Sequence, residues 1–240
     1  METMDRSDPL LVLGAHPDDI EFGCGGIVAR ETQAGRSAHL VICSRGEAAT
    51  HGSPKTRTAE AKKGAALLGA TLEFLDFGGD AHFEARLVHA MKLAAIIRRV
   101  RPGIVLAPTP VGNQHPDHAV LGRMTRDAAR LARYGGVNEL RRAPAHVIDA
   151  LLFYAITVEA ELQAQPVLIE VSSPAVVAAW TAAMQAHATQ AKTRPYVELQ
   201  LARARLHGAR CGVEAAIPLW SNDPLVFGSL EEIHRGARRF

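Results

Sequence analysis

Two short segments rich in histidine and aspartate each follow an apolar run of the chain. His16-Pro17-Asp18-Asp19 follows Leu10–Leu13, and His115-Pro116-Asp117-His118 follows Ile104–Leu106. Apolar runs of this length are typical of buried strands, and ligands of open parallel sheets bind beyond the carboxyl ends of the strands. The sequence therefore predicts that both segments meet at one edge of a sheet and share a metal ion.

Two imidazoles and one carboxylate, with one position open for water, form a recurrent catalytic zinc site. His16 and Asp19 can supply two of these ligands. The third is His115 or His118, which share one face of a helical turn, and spacing alone does not choose between them. A bound metal lowers the pKa of water from about 15.7 towards about 7. The pattern thus favours hydrolysis at neutral pH.

The remaining polar residues of the two segments suit proton transfer. Asp18 is adjacent to a predicted ligand and is not itself needed to bind the metal, which suits a general base. The second-segment imidazole that does not bind metal can be protonated and donate to a developing oxyanion or a leaving amine. Asp117 can hold that ring in one tautomer. Together these roles describe a metal-dependent hydrolase.

Alternation of apolar runs with helical patterns predicts the frame that positions these residues. Strands are predicted at Leu10–Gly14, His39–Ser44, Thr71–Asp76, Ile104–Ala107 and Ile148–Ile156. Helices are predicted at Gly26–Ala34, Lys55–Leu68, Glu84–Val100 and Pro116–Tyr134. Such alternation implies right-handed βαβ units. We expect an α/β fold with a Rossmann-like open, mostly parallel sheet and helices on both faces.

The pattern changes after about residue 157, where one strand, Pro166–Val171, and two helices, Pro174–Lys192 and Val197–Cys211, are predicted. Neither a repeat nor a low-complexity linker separates this part from the rest. We expect a single domain over 1–240, with 157–240 as a C-terminal extension packed on the same sheet.

Composition excludes several classes of protein. A formal net charge of +2 on 240 residues, with acids and bases interspersed, argues against nucleic-acid binding. The chain has no apolar stretch near the roughly 18 residues that span a bilayer. Three unevenly spaced cysteines indicate reduced thiols. With the polar start Met1–Asp5, which is unlike a signal peptide, these features predict a cytoplasmic protein.

At the two segments the chain resembles the LmbE-like (PIG-L) zinc-dependent N-acetylglucosamine deacetylases. The motifs that carry the resemblance are Gly14-Ala15-His16-Pro17-Asp18-Asp19, Gly23-x-Gly25-Gly26 and His115-Pro116-Asp117-His118. Arg57-x-x-Glu60 and, more loosely, His187-Ala188-Thr189-Gln190 extend it over about residues 8–230.

The resemblance implies a role for each matching residue. Zinc would be bound by His16, Asp19 and His118, with Asp18 as general base, His115 as general acid or oxyanion partner, and Asp117 behind it. Arg57 would contact sugar hydroxyls or an anionic aglycone. Arg45 and Glu47 follow a strand at the same rim, where they either contact substrate or stabilise the loop.

The chain departs from the family pattern at two places. Many sugar–malate deacetylases of bacillithiol synthesis have Asp-Arg where this chain has Asn113-Gln114, and Ala215-Ala216-Ile217 replaces a late Tyr-Ala-Glu segment. These changes leave the metal chemistry intact and concern the substrate. N-acetylglucosaminyl malate is the leading candidate.

The sequence is also compatible with two other functions. The Gly-rich turn after the first strand could belong to a non-enzymatic nucleotide-binding module, although it lacks the G-x-G-x-x-G spacing. A metal-dependent phosphoesterase is the second alternative, but it usually needs a second metal. The resident metal could be Fe²⁺ as well as Zn²⁺. We expect a small amino-sugar substrate and a homo-oligomer formed through the apolar C-terminal third.

Overall fold

A computed structural model describes residues 8–192, 194–233 and 235–238. Within them, seven strands form one sheet in the order β3-β2-β1-β4-β5-β7-β6. The strands are β1 (Leu10–Gly14), β2 (Ala38–Ile42), β3 (Thr71–Phe74), β4 (Ile104–Pro108), β5 (Ala150–Tyr154), β6 (Val167–Glu170) and β7 (Ala216–Ser221). The first five are parallel, and β7 pairs antiparallel with both β5 and β6. This mostly parallel sheet confirms the predicted fold class.

Seven helices accompany the sheet in the described residues. They are α1 (Asp19–Gln33), α2 (Pro54–Leu67), α3 (Leu87–Val100), α4 (Pro116–Arg133), α5 (Pro174–Ala186), α6 (Ala188–Ala191) and α7 (Tyr196–Cys211). Helices α1, α2, α5 and α7 pack on one face, while α3 and α4 pack on the other. Successive β1 residues point to opposite faces, so Leu10 and Val12 enter one core and Leu11 and Leu13 the other. Burial on both faces explains why this strand is continuously apolar.

The strand order places β1 beside β4, at the point where the chain changes direction across the sheet. The helix after β1 covers one face and the helix after β4 covers the other. The chain segments that leave these two strands therefore diverge and open a crevice at the carboxyl edge. Both histidine–aspartate segments lie at this crevice.

Helix α1 differs from the prediction, because it begins at Asp19 and runs through the Gly-rich segment with a kink at Cys24. A Cβ atom at Gly23 would lie 2.3 Å from the Tyr154 ring, and one at Gly25 would lie 2.8 Å from the Trp180 ring. These glycines therefore serve close helix packing and do not form a phosphate-binding turn. That arrangement argues against the nucleotide-binding alternative.

Two further differences concern the C-terminal part. Strand β7 was not predicted, because Pro218 lies inside it and proline usually indicates the end of a strand. The predicted helix 174–192 is two helices, broken at His187, whose side chain is fully buried. Strands β6 and β7 join the same sheet as β1–β5.

Among the described residues, no helix combines the length and the apolar character that a membrane span requires. Cys24, Cys43 and Cys211 are all buried and carry free thiols. Met1–Asp5, which entered the prediction of the compartment, lies outside the described residues.

Candidate metal centre

The turn between β1 and α1 is closed by the carboxylate of Asp19. Its Oδ2 accepts hydrogen bonds from the backbone N–H groups of Ala15 and His16, both at 2.8 Å. Asp18 caps the helix with a φ of 116°, a left-handed conformation that costs a non-glycine residue about 1–3 kcal/mol. The turn thus holds Asp19 rigidly and presents His16 and Asp18 at the carboxyl edge of the sheet.

The second segment is fixed by the start of α4. Pro116 occupies the first helical position, where its missing N–H removes no hydrogen bond. His115 is the N-cap, and its Nδ1 accepts a hydrogen bond from the Asp117 N–H at 3.3 Å. His118 lies within the first turn and is buried against the first segment.

Three side chains from these two segments converge. His16 Nδ1 lies 3.1 Å from His118 Nε2, which is 3.0 Å from Asp19 Oδ1, and Asp19 Oδ2 lies 3.5 Å from His16 Nδ1. Tetrahedral ligands bound at about 2.0 Å stand about 3.3 Å apart. The spacing of His16 Nδ1 and His118 Nε2 therefore fits a shared divalent ion of the zinc type, with Asp19 Oδ1 beside His118. His115 also offers a nitrogen within 4.8 Å of those of His16 and His118.

The other nitrogen of His16 determines which tautomer is available. Its Nε2 lies 3.0 Å from Asp80 Oδ1 and 3.1 Å from Asp117 Oδ2. Carboxylates accept hydrogen bonds, so Nε2 keeps its proton and Nδ1 is the nitrogen that a metal can bind in exchange for a proton. The Asp117 carboxylate thus contacts His16. The sequence suggested that this carboxylate holds the ring of His115, but it is the backbone N–H of Asp117 that donates to His115 Nδ1.

The balance of charge also favours a cation. Four carboxylates surround the site, those of Asp18, Asp19, Asp80 and Asp117. The guanidinium of Arg57 lies within ion-pair distance of Asp18 and Asp80. Burial would raise the pKa of Asp19, but His118 and His16 hold it well below its usual value. Asp19 is therefore ionised, as a carboxylate ligand must be, and a divalent ion would offset the excess negative charge.

Asp18 has a different environment from Asp19. Burial raises the pKa of Asp18 to about 6, Arg57 opposes that rise, and the charge of Asp19 adds to it. Arg57 Nη2 lies 3.3 Å from Asp18 Oδ1 and donates to the carbonyl of Pro17 at 2.7 Å. A carboxylate held in this way, beside the ligand set, suits exchange of a proton with water near neutral pH.

The two arginines predicted to bind substrate lie at different depths. Arg57 is only 4% exposed. Its guanidinium occupies the space that a Cβ atom at residue 46 would need, and Gly46 there has a φ of +70°. Arg45 is half-buried, with its guanidinium 5.5 Å from the centre of the Phe74 ring. Its backbone N–H donates to the Glu47 carboxylate at 3.0 Å. Substrate contact by either arginine stays a prediction.

His115 lies beside these three side chains and is the exposed histidine of the second segment, with 40% of its side chain accessible. Burial and the neighbouring His16 and His118 lower its pKa, so the neutral ring is favoured. Because Nδ1 accepts from the Asp117 N–H, the proton lies on Nε2. His115 can therefore donate a hydrogen bond to a substrate oxygen in the crevice.

Sequence reasoning assigned no role to Asp80. It lies in the loop after β3, which ends at the same carboxyl edge of the sheet, so its position among the rim loops was the available signal. The glycines before it, Gly78 and Gly79, have φ of 101° and 93° and allow the tight path of the loop.

A buried pair behind Asp18 also lacked an assigned role. His187 Nε2 lies 3.3 Å from Glu21 Oε1, and both side chains are almost fully inaccessible. A Cβ atom at Gly64 would lie 2.5 Å from Glu21 Oε1, so this glycine makes room for the pair. Burial would lower the pKa of His187, but Glu21 raises it, which favours an ion pair.

The sequence matches the PIG-L family, described as GlcNAc-PI de-N-acetylase, over residues 11–129. A solved structure of a conserved protein from Thermus thermophilus is 32% identical, with a TM-score of 0.78, and the alignment covers 91% of this chain and 96% of that chain.

Two named relatives are similar over shorter segments. Diacetylchitobiose deacetylase of Thermococcus kodakarensis is 30% identical over 158 residues, which are 60% of this chain and 59% of that protein. 4-Oxalmesaconate hydratase of Pseudomonas putida is 32% identical over 148 residues, 57% of this chain and 56% of that protein. The chain thus spans somewhat more than half the length of these two relatives.

The family match contains both segments of the candidate metal centre, and the Thermus relative aligns over nearly its whole length. The fold, the site and these comparisons agree. The chain belongs to the PIG-L (LmbE-like) family.

Proposed function

We propose that this protein is a metal-dependent hydrolase that removes the N-acetyl group from an N-acetylglucosamine-type conjugate. The observation that carries the proposal is the convergence of His16, Asp19 and His118 with separations of 3.0–3.5 Å. Asp18 lies beside these three residues, and its carboxylate forms an ion pair with Arg57. The deacetylase among the relatives supports an amide as the substrate.

A divalent ion bound by this set would polarise the amide carbonyl and lower the pKa of water. Asp18 accepts a proton from the attacking water as its oxygen bonds to the acyl carbon. His115 donates a hydrogen bond from Nε2 to the carbonyl oxygen as it gains charge. Asp18 or His115 then protonates the nitrogen as the C–N bond breaks, which yields acetate and a free amine.

The proposal is tested by two variants with different expected effects. Asp18→Asn should keep its metal but lose about 10²–10⁴-fold in turnover, because the general base is gone. His118→Ala should lose both metal and turnover. Asp127→Asn, an exposed change of the same type on α4, is the control. Acetate release and metal content are measured in the same samples, and a wild-type rate for Asp18→Asn would refute the assignment.

For the substrate we propose N-acetylglucosaminyl malate, whose aglycone carries carboxylates. An open groove of about 410 Å³ beside the start of α2 is lined by Arg45, Lys55 and Lys62, which supports an anionic group near the rim. A panel of N-acetylglucosamine conjugates that differ only in aglycone charge tests this. Equal kcat/KM for neutral and anionic aglycones would contradict it.

A hydratase is the second candidate, because the Pseudomonas putida relative carries that name. In that case Asp18 would take the proton of water and His115 would supply one to the neighbouring carbon of a polarised double bond. Loss of absorbance from a conjugated keto-enoate, with no acetate released from any conjugate, would favour this function. A phosphoesterase would instead release phosphate from a chromogenic ester.

Three further properties belong to the proposal. We propose zinc as the metal, with Fe²⁺ as the alternative that a two-histidine, one-carboxylate set also accommodates. The cytoplasm is the proposed compartment, in keeping with the free buried thiols. A homo-oligomer is proposed because large apolar side chains near the C-terminus, such as Val226 and Leu230, are 86% and 83% exposed. Light scattering on the purified protein measures the last of these directly.

A further inference from the structure

The loop between β3 and α3 places a carboxylate against a metal-binding histidine. Asp80 Oδ1 lies 3.0 Å from His16 Nε2, and the Asp80 side chain is only 10% accessible. Arg57 Nη1 and His115 Nε2 stand farther from the Asp80 carboxylate, at 3.9 Å each. Across the described ranges 8–192, 194–233 and 235–238, His16 is thus the donor within hydrogen-bond range of this carboxylate.

Asp117, the other carboxylate on His16, is already used by the backbone. Its Oδ2 accepts from the Ala81 N–H at 2.7 Å, and its Oδ1 accepts from the Phe83 N–H at 3.3 Å. Asp117 therefore anchors the loop as well as accepting from His16 Nε2 at 3.1 Å, whereas the group nearest to the Asp80 carboxylate is the imidazole of His16.

The backbone of the loop is arranged to deliver Asp80. Its N–H donates to Glu47 Oε2 at 3.0 Å, which ties this loop to the one that follows β2. Ala81 has a φ of 65°, a left-handed conformation that costs a non-glycine residue free energy. The hydrogen bond from Ala81 to Asp117 holds that conformation, so the strain is maintained by contacts next to His16.

We propose that Asp80 is a positioning residue of the metal centre, which fixes the orientation and tautomer of His16 and so sets the affinity for the divalent ion. The inference rests on the metal site of the proposed function. Carboxylates that hold a ligating histidine in this way commonly account for about 10–100-fold in metal affinity. Because the Asp80 N–H donates to Glu47, the position of Asp80 also depends on the loop after β2.

The test measures metal affinity, not turnover. Zn²⁺ and Co²⁺ binding to the full chain is titrated against a chromophoric chelator for the wild type, Asp80→Asn and Asp80→Glu. We expect Asp80→Asn to bind both ions about 10–100-fold more weakly and to alter the visible absorption of bound Co²⁺. Asp80→Glu, which keeps the charge, should recover part of the affinity and provides a second variant if the first folds poorly.

Asp76→Asn is the matched control, since Asp76 lies four residues earlier in the same loop and is exposed. Its Oδ1 accepts from the Gly78 N–H at 2.8 Å, a role that an asparagine oxygen retains. The control should bind metal like the wild type. Thermal unfolding of the metal-free proteins establishes that each variant is folded.

The possible outcomes separate this inference from the proposed function. Wild-type affinity for both ions in Asp80→Asn would overturn the inference, and a raised KM with that affinity would show that Asp80 contacts substrate instead. If the wild type itself bound neither ion, the metal-dependent function would fail together with the inference. Weaker binding in Asp80→Asn alone, with the control unchanged, supports it.

Discussion

The glycines of α1 give a prediction whose size follows from the structure. A Cβ atom added at Gly23 would lie 2.3 Å from Tyr154 Cδ2, whereas carbon atoms in contact stand about 3.5–4.0 Å apart. The Tyr154 ring must then move by more than about 1 Å. Tyr154 is fully buried, and its hydroxyl donates to the carbonyl of Leu13 at 2.8 Å, just before the turn that carries His16 and Asp19.

The expected cost of Gly23→Ala combines three effects. Overpacking a core costs about 1–3 kcal/mol, and loss of the Tyr154 hydrogen bond adds about 0.5–1.5 kcal/mol. Alanine offsets about 1 kcal/mol through its higher helix propensity. We therefore expect the free energy of unfolding to fall by about 0.5–3.5 kcal/mol, with a decrease in Tm of roughly 2–4 °C for each kcal/mol.

Urea unfolding followed by far-UV circular dichroism measures this change. Gly136→Ala is the control, because a Cβ atom there meets nothing within 4 Å, and its stability should stay within about 0.5 kcal/mol of the wild type. The double variant Gly23→Ala, Tyr154→Leu should be less destabilised than the sum of its parts. Equal or greater stability for Gly23→Ala would refute the packing role of this glycine.

Three other predictions concern the framework and the metal. Arg98 is buried and donates to four backbone carbonyls, so Arg98→Met should lower the unfolding free energy by about 3 kcal/mol or more, and an unchanged urea midpoint would contradict this. Arg57→Lys keeps the charge but loses the planar fork, so kcat should fall about tenfold with metal content unchanged; an increase in KM alone would instead support substrate contact by Arg57. Removal of metal by dipicolinate should abolish activity and reduce stability by about 2.7 kcal/mol relative to protein saturated at 100 times Kd. An identical Tm with and without chelator would argue against a bound ion.

Much of the fold was predictable because it depends on local patterns. The buried run Leu10–Gly14 and the helix opened by Pro116 follow from apolar periodicity and from proline at the first helical position. Strand β7 was missed because Pro218 is unusual inside a strand. Pro218 is tolerated because it pairs only with Leu168 of β6, while the pairing with β5 involves Trp220 and Ser221. No local pattern reveals these neighbours.

The candidate site was predictable to a lesser degree. His16, Asp19 and His118 could be chosen as candidate ligands from their motifs, because metal sites need particular residue types at particular spacings, and the structure brings these three side chains together. The partner of Asp117 was not, because the same carboxylate can reach His115 or His16 according to how the helix meets the sheet. Asp80 was missed for a similar reason, since it comes from a different loop with no motif of its own.

The sequence by itself determined the strand–helix order apart from β7 and the break at His187, the two segments of possible ligands and the family. Local hydrogen bonding, periodicity and residue chemistry are sufficient for these. Only the tertiary structure decided that Tyr154 and Trp180 pack against the glycines of α1, that Arg57 is buried beside Asp18, and that two carboxylates share His16 Nε2. Those contacts join residues far apart in the chain, and only packing of the whole sheet with its helices fixes which of them lie within a few ångströms.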